Sequence, residues 1–399
     1  MVFRLSRTLT RCLFGIWTAS VLILVTGCWS KEELNDRSFV TAVMVDITED
    51  KKTELSIGFV LPNRMQPGQA SSSPTKQPYT VITQTGGNLA EAYQLIQRGL
   101  SRRITWGSIR VIVIGERYAK AGLEPFLDFF MRIPDIRLRT PVFFYNGKAK
   151  EISAIKPVFE QFPSEILREF AHLNLAPEVT LKDMLYTYWS GIGDGFIPGL
   201  KYKANVNLTE GGKQEPRIVT DGASIVKRGR AVGKFSDTDT VGILWIMNKL
   251  DSNSVQTVLS PTDDKPINVR MLRAKTKVTV SKVRQNLMFH LKIESSGELL
   301  SSDSDLNLAS PAAIVQLESA LSKAIKSQVQ NALNVARKHH ADTFQWSDMV
   351  RKKYPDLWDS WKNDPKETLW NRAKVSISVD SEIVRIGASR FSKPPRRKE

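Results

Sequence analysis

The apolar positions of this 399-residue chain change period several times, and each change marks an element. Residues Thr41 to Ile47 and Glu54 to Leu61 read as strands. After Gly86-Gly87-Asn88 the spacing lengthens. Leu89, Ala92, Tyr93, Ile96 and Leu100 recur on one helical face, with Asn88 placed to cap the first turn. Arg110 to Gly115 then contains the unbroken run Val111-Ile112-Val113-Ile114, as expected of a strand covered on both faces. Leu123 to Ile133 reads as a helix, and Thr140 to Tyr145 as a strand. That strand ends at Asn146-Gly147, a dipeptide that favours hairpins because both residues tolerate positive φ. Phe159 to Tyr188 reads as mainly helical, with Thr180 as a cap before Leu181, Met184, Leu185 and Tyr188. Alternating strands and helices of this kind predict an α/β or α+β layer.

Two stretches interrupt the pattern. Pro62 to Pro78 is rich in Pro, Gly, Ser and Gln and reads as a long loop. Gly191-Ile192-Gly193-Asp194-Gly195 and the polar stretch Thr209 to Glu215 read as linker and domain boundary. Beyond them Asp221-Gly222 marks a turn, and strands are expected at Ile218–Val226 and Thr276–Val283. The clearest alternation is Leu287, Phe289, Leu291 and Ile293 against Met288, His290 and Lys292. Ser310-Pro311 opens a long helix, Ser as cap and Pro in the first turn. Its stripe is Ile314, Leu317, Leu321, Ile325, Gln328, Val329, Ala332 and Ala336, a face suited to lie across a sheet. Lys374 to Val379 alternates as a closing strand. The fold class is therefore α+β (mixed α/β) and multi-domain, with mixed sheets packed by helices. The expected division is 1–27 signal peptide, 28–208 N-terminal α/β domain or domains, 216–390 C-terminal α+β domain, and 391–399 basic tail.

The first 28 residues follow a different logic. Arg4, Arg7 and Arg11 precede an apolar stretch from Cys12 to Val25, which ends in Val25-Thr26-Gly27-Cys28. A positive start, an apolar middle and small residues before a cleavage point define a secretory signal. The Cys directly after Val-Thr-Gly gives it the bacterial lipoprotein form. Cleavage is expected between Gly27 and Cys28, with diacylglycerol on the Cys28 thiol. The apolar run is short for a span, which takes about 20 residues. Two or more acyl chains hold a protein stably on a membrane.

Charge and chemistry narrow the function classes. Lys and Arg total 57 against 41 Asp and Glu, a net charge of +16. Such a balance suits nucleic acid or anionic lipid head groups. The export signal favours the lipid surface, and no nucleic-acid motif is found. The tail residues Arg390, Lys393, Arg396, Arg397 and Lys398 read as a solvated terminus. The two cysteines, Cys12 and Cys28, lie in the signal and at the lipid site, so the body has no free thiol and no disulfide. His172, His290, His339 and His340 lack metal-ligand spacing, and there is no G-x-S-x-G elbow. Gly229 to Lys234 is one residue short of a phosphate loop, and Phe235 stands where Ser or Thr is needed. No carboxylate pair can be singled out for glycosidase chemistry. No metal, no cofactor and no enzymatic activity are expected. The segment from Phe344 to Trp370 is aromatic-rich. It suits a core under an irregular connection, a protein interface or ligand stacking. Trp346, Tyr354, Trp358 and Trp361 are the candidate partner-interface residues.

The order of motifs resembles one family. Cys28-Trp29-Ser30-Lys31-Glu32-Glu33-Leu34-Asn35-Asp36-Arg37 leads to a strand ending in Val45-Asp46. Thr220-Asp221-Gly222-Ala223-Ser224-Ile225-Val226, Ala231-Val232-Gly233-Lys234-Phe235 and Gly242-Ile243-Leu244-Trp245 follow. Lys353-Tyr354-Pro355-Asp356-Leu357-Trp358 and Val375 to Gly387 complete the series. Together these resemble the spore germination C-subunit lipoproteins, the Ger(x)C or GerAC-like family. Ala341-Asp342-Thr343-Phe344-Gln345 departs from the Gly-rich acidic turn that the family often has there. The resemblance implies several α/β domains with mixed sheets and packed helices. It also implies a lipoprotein on the outer face of the spore inner membrane, acting with membrane-spanning A and B subunits in a nutrient germinant receptor. The alternatives from other classes are a lipoprotein solute-binding protein of a transporter and a cell-wall-acting enzyme.

Overall fold

The computed structural model describes residues 10–18, 33–64, 77–155, 157, 159–203, 209–210, 213–214, 217–284, 286–362 and 368–386. In chain order the first half contains β1 (Arg37–Ile47), β2 (Thr53–Val60), β3 (Tyr79–Gly86), α1 (Leu89–Arg98), β4 (Arg103–Thr105), β5 (Val111–Gly115), α2 (Glu116–Ala121), α3 (Glu124–Met131) and β6 (Val142–Tyr145). Then come α4 (Pro163–His172), α5 (Leu181–Ser190), β7 (Gly195–Lys203), the short β8 (Thr209–Glu210) and β9 (Lys213–Gln214), β10 (Arg217–Lys227) and β11 (Arg230–Phe235).

These strands form a nine-stranded mixed sheet in the order β11-β10-β7-β6-β5-β1-β2-β3, with β4 beside β1. Its centre is parallel: β1 with β5, β5 with β6, and β6 with β7. Every residue of β5 and β6 is buried. The alternation of side chains explains why both faces need cover. Ile112, Ile114, Val142 and Phe144 join one core with residues of α1, α3 and α5. Val111, Val113, Phe143 and Tyr145 join a second with Leu167 and Ala171 of α4. The Asp46 carboxylate, at the end of β1, accepts from Ile47 N (2.8 Å) and from Ala149 N (3.0 Å) after β6. It sits where a Cβ on Gly115 would stand, 2.1 Å from Oδ2. The strand-ending Asp of the motif series thus ties β1 to the turn after β6.

Two expectations are corrected in this half. Asn146-Gly147 does not make a hairpin. Both neighbours of β6 run parallel to it, so the chain must leave the sheet and cross over, through the tight turn Ala149–Ala154 and then α4 and α5. Gly191 to Gly195 is not a linker: Gly191 ends α5 in the left-handed region (φ 61°), and Gly195 already belongs to β7. The polar stretch Thr209 to Glu215 lies between β7 and β10, which pair antiparallel, and contains the β8–β9 ladder. The division expected at 208–216 therefore falls inside this sheet, which continues to Phe235. Of the expected loop Pro62–Pro78, residues 65–76 lie outside the described residues, as do Gly27, Cys28 and the tail 391–399.

The second half contains α6 (Asp237–Ile246), β12 (Val255–Leu259), β13 (Pro266–Val283), β14 (Asn286–Ser302), α7 (Pro311–Lys338), α8 (Trp346–Lys353), α9 (Pro355–Asp359), α10 (Leu369–Arg372) and β15 (Ala373–Arg385). Its sheet has the order β12-β13-β14-β15, antiparallel except for the parallel pair β14–β15. Leu287, Phe289, Leu291 and Ile293 are all buried beneath α7, whose buried face includes Leu317, Leu321, Ile325, Val329, Ala332 and Ala336. Gln328, a polar member of the stripe, accepts from Trp245 Nε1 (3.2 Å) and donates to Gln256 Oε1 (3.0 Å), so it joins α6, α7 and β12. The start of α7 differs from expectation. Pro311 opens it, but the Ser310 hydroxyl makes no cap bond, and the helix relies on the preset φ of proline. Sequence periodicity did not reveal α6. Gly242 to Ile246 are all buried, so it has no polar face to set a period. Its signature was the capping box of Ser236 and Asp239.

Candidate functional site

The two halves meet where the Gly191–Gly195 turn packs on the segment after α7. Gly193 (φ 72°) lies so close to Asp342 that a Cβ would stand 3.2 Å from its carboxylate. Asp194 N–H donates to the Asp342 carbonyl (3.0 Å), and Asp342 N–H donates back to the Asp194 carboxylate (2.9 Å). The other Asp194 oxygen accepts from Arg228 N (3.3 Å) in the β10–β11 turn. The Asp342 carboxylate in turn accepts from Trp346 N (2.9 Å) and Ser347 N (2.7 Å), the first free N–H groups of α8. Gln345 Nε2 reaches across to Thr187 Oγ1 of α5 (2.5 Å). Burial of the Asp342 carboxyl raises its pKa to about 6, outweighing the N–H donors that pull it down. Asp194 is raised for the same first cause.

Beside this junction lies a cleft of about 760 Å³, within the range of small-molecule sites. Its walls come from α3, α5, β7, the β10–β11 turn, the end of α6 and residues Thr343 to Gln345. Most of the lining is apolar: Leu123, Leu127, Val179, Met184, Phe196 and Phe344 among others. Glu178, Asp183, Arg228 and Lys249 supply charge. Sequence reading missed Asp194, Asp342 and Arg228. The available signal was an Asp a few residues before a helix start, within the segment that departs from the family pattern.

The candidate interface residues separate into two groups. Trp346 and Trp361 are buried, at 2% and 4% exposure, and act as internal anchors. Trp346 stacks on Phe289 at 4.6 Å between ring centroids. Trp370 is buried too, its Nε1 donating to Ala341 O (2.8 Å). Tyr354 and Trp358 are only partly buried. The Tyr354 hydroxyl accepts from Lys282 N (3.2 Å), and Trp358 meets Trp361 edge-on at 5.3 Å. Of the four, Tyr354 and Trp358 keep part of their surface exposed.

The histidines do not converge. His172 ends α4, His290 faces Ser281 Oγ (3.0 Å) on the outer side of the second sheet, and the His339 ring packs over Gly233. Among the described residues no three His, Cys, Asp or Glu side chains are grouped to hold a metal ion. Gly229 to Lys234 forms the β10–β11 turn and the start of β11, and Lys234 pairs with Asp221. Residues 10–18 are helical, and no helix of the described residues is long and apolar enough to cross a membrane.

Comparison with known proteins assigns this arrangement. The family described as "Spore germination protein N-terminal domain" matches residues 30–202, and "Spore germination B3/GerAC like, C-terminal" matches 221–387. This chain belongs to the Ger(x)C family of spore germination proteins. Spore germination protein KC of Bacillus subtilis is 24% identical over 94% of this chain and 96% of its own length. Spore germination protein B3 of the same organism is 23% identical over 92% and 96%. The crystal structure of the GerBC protein superimposes with a TM-score of 0.55 at 19% identity, covering 89% of this chain and all of that one, a likeness of fold. The mixed α/β, multi-sheet architecture is thus the family's. Within the Ger(x)C motif series, Asp46, Asp221, Gly222 and Trp245 all serve packing, turns or ion pairs in this structure.

Proposed function

We propose that this chain is a non-enzymatic, lipid-anchored subunit of a nutrient germinant receptor. It would sit on the outer face of the spore inner membrane through acylated Cys28 and assemble with the membrane-spanning A and B subunits. The observation that carries the reading is the family match on both sides of the chain, 30–202 and 221–387, directly behind a lipoprotein-type signal. A tether raises the effective concentration of the body at the membrane and so at its partners. The partly exposed Tyr354 and Trp358, on the α8–α9 corner, are the candidate contacts.

The test is affinity purification from spore inner membrane followed by mass spectrometry. Two multi-span germination subunits should co-purify. Cys28→Ala should release the body from the membrane and impair germination while leaving its melting temperature unchanged. Recovery with no multi-span germination protein, or normal germination of the Cys28→Ala strain, would overturn the reading.

A further inference from the structure

The cleft beside the Asp194–Asp342 junction has an apolar floor and a charged mouth, and its charges are not equally available. The Asp183 carboxylate is engaged by Thr180, accepting from its backbone N (2.9 Å) and its hydroxyl (2.6 Å) in the α5 capping box. The Asp194 carboxylate is engaged by the backbone N–H groups of Asp342 and Arg228. Lys249 and Glu178 share the mouth and also line the adjoining surface hollow, so Lys249 sits in a region of mixed charge. Arg228 differs. It sits exposed at the left-handed turn (φ 48°) of the β10–β11 hairpin, its backbone fixed by Asp194. Its charge acts on the nearby Asp194 carboxyl, but among the described residues no carboxylate lies within ion-pair distance of its guanidinium. A planar guanidinium at the lip of an apolar cleft is a ready partner for a carboxylate, sulfonate or phosphate group. In the same wall the buried Thr343 hydroxyl has no hydrogen-bond partner among the described residues.

We propose that this cleft binds a small amphipathic molecule with an apolar body and a single anionic head group. The body lies against Leu127, Met184, Phe196 and Phe344, and Arg228 takes the head group. The volume of about 760 Å³ holds two or three fused or linked rings, or a medium-length acyl chain. The proposal stands independently of the receptor assignment, because it rests on the lining alone.

Two probes of similar shape and different charge test it: 8-anilinonaphthalene-1-sulfonate, and neutral N-phenyl-1-naphthylamine. The protein is the chain from residue 28 onward carrying Cys28→Ser, which leaves the body intact and requires no detergent. The sulfonate should bind saturably at one per chain. Arg228→Gln should weaken it about tenfold, the scale of one lost charge-assisted hydrogen bond, and change the neutral probe less than about twofold. Lys249→Gln should weaken the sulfonate less than Arg228→Gln does, and Phe344→Ala should weaken both probes. Unchanged melting temperatures for Arg228→Gln and Lys249→Gln, both exposed positions, keep the comparison on folded protein. Absence of saturable binding, or sulfonate affinity unaffected by Arg228→Gln, would overturn the proposal. A larger loss with Lys249→Gln than with Arg228→Gln would do the same.

Discussion

A carboxylate sealed from solvent, with only the Ser347 side chain and backbone N–H groups of one helix start to hold its charge, responds to pH in the opposite sense to a surface aspartate. Asp342 has a folded pKa of about 6, above the value of about 3.9 it takes in an unfolded chain. Between those values the folded state holds a proton that the unfolded state has lost. Its contribution to stability therefore falls as pH rises from about 4 to about 6, and levels off above that. Asp342→Asn removes the titration. Urea unfolding of both proteins across this range should show the wild-type stability, minus that of the variant, falling by about 3 kcal/mol. A difference that stays flat or rises would contradict the burial argument. Trp346→Ala should cost about 3–5 kcal/mol, as expected for a large buried aromatic. Trp358→Ala should cost far less and instead lower recovery of partner subunits. None of this was legible in the sequence for Asp194 and Asp342, which lie 148 residues apart and acquire meaning only when the fold joins them. The aromatic segment was visible, but which rings face inward depends on how α8 and α9 turn.

At the scale of elements, legibility followed periodicity. The alternation in β14, the unbroken run in β5 and the stripe of α7 each stated both the element and its buried face. Where local chemistry spoke without periodicity the reading went astray. Asn146-Gly147 favours a hairpin, but parallel neighbours on both sides of β6 forbid one. Packing between elements left a sharper trace. Gly242 of α6 lies against the backbone of α7, where an added Cβ would stand 2.2 Å from the Gln328 carbonyl. Gly242→Ala must push the two helices apart and should destabilise by about 3 kcal/mol or more, the upper end for overpacking, because the obstacle is backbone. Gly191→Ala meets no atom within 4 Å, only an unfavourable φ of 61°, and should cost about 1–2 kcal/mol. Chemical denaturation of both variants ranks the two mechanisms. An equal or reversed order would show that α6 and α7 yield more easily than a close-packed pair.

At the scale of the whole molecule, the matched family segments part between 202 and 221, whereas the first sheet runs on to Phe235. A fragment ending at residue 208 would lose β10 and β11 and leave the full length of β7 as an unpaired edge. It should be recovered aggregated, and the body with β10 and β11 in place should not be; light scattering after expression distinguishes the two. A well-folded monomeric fragment would show that the sheet tolerates the missing hairpin. Family membership was legible at this scale through the order of many weak motifs, none decisive alone. The cleft was not, because its walls are drawn from segments scattered between Leu123 and Gln345.

The parallel placement of β15 also sets an order of events. It is the last strand among the described residues, it lies beside β14 only after the whole of α7 has crossed the sheet, and Ile383 N–H donates to Glu318 on that helix (2.9 Å). A chain emerging from its N-terminus can complete the first sheet once Phe235 is out. The second waits for its final strand, with the apolar stripe of α7 incompletely covered until then. The cleft wall at Thr343 to Gln345 belongs to this late stage. Truncation before β15 would therefore spare the first sheet and leave both the second core and the cleft unfinished.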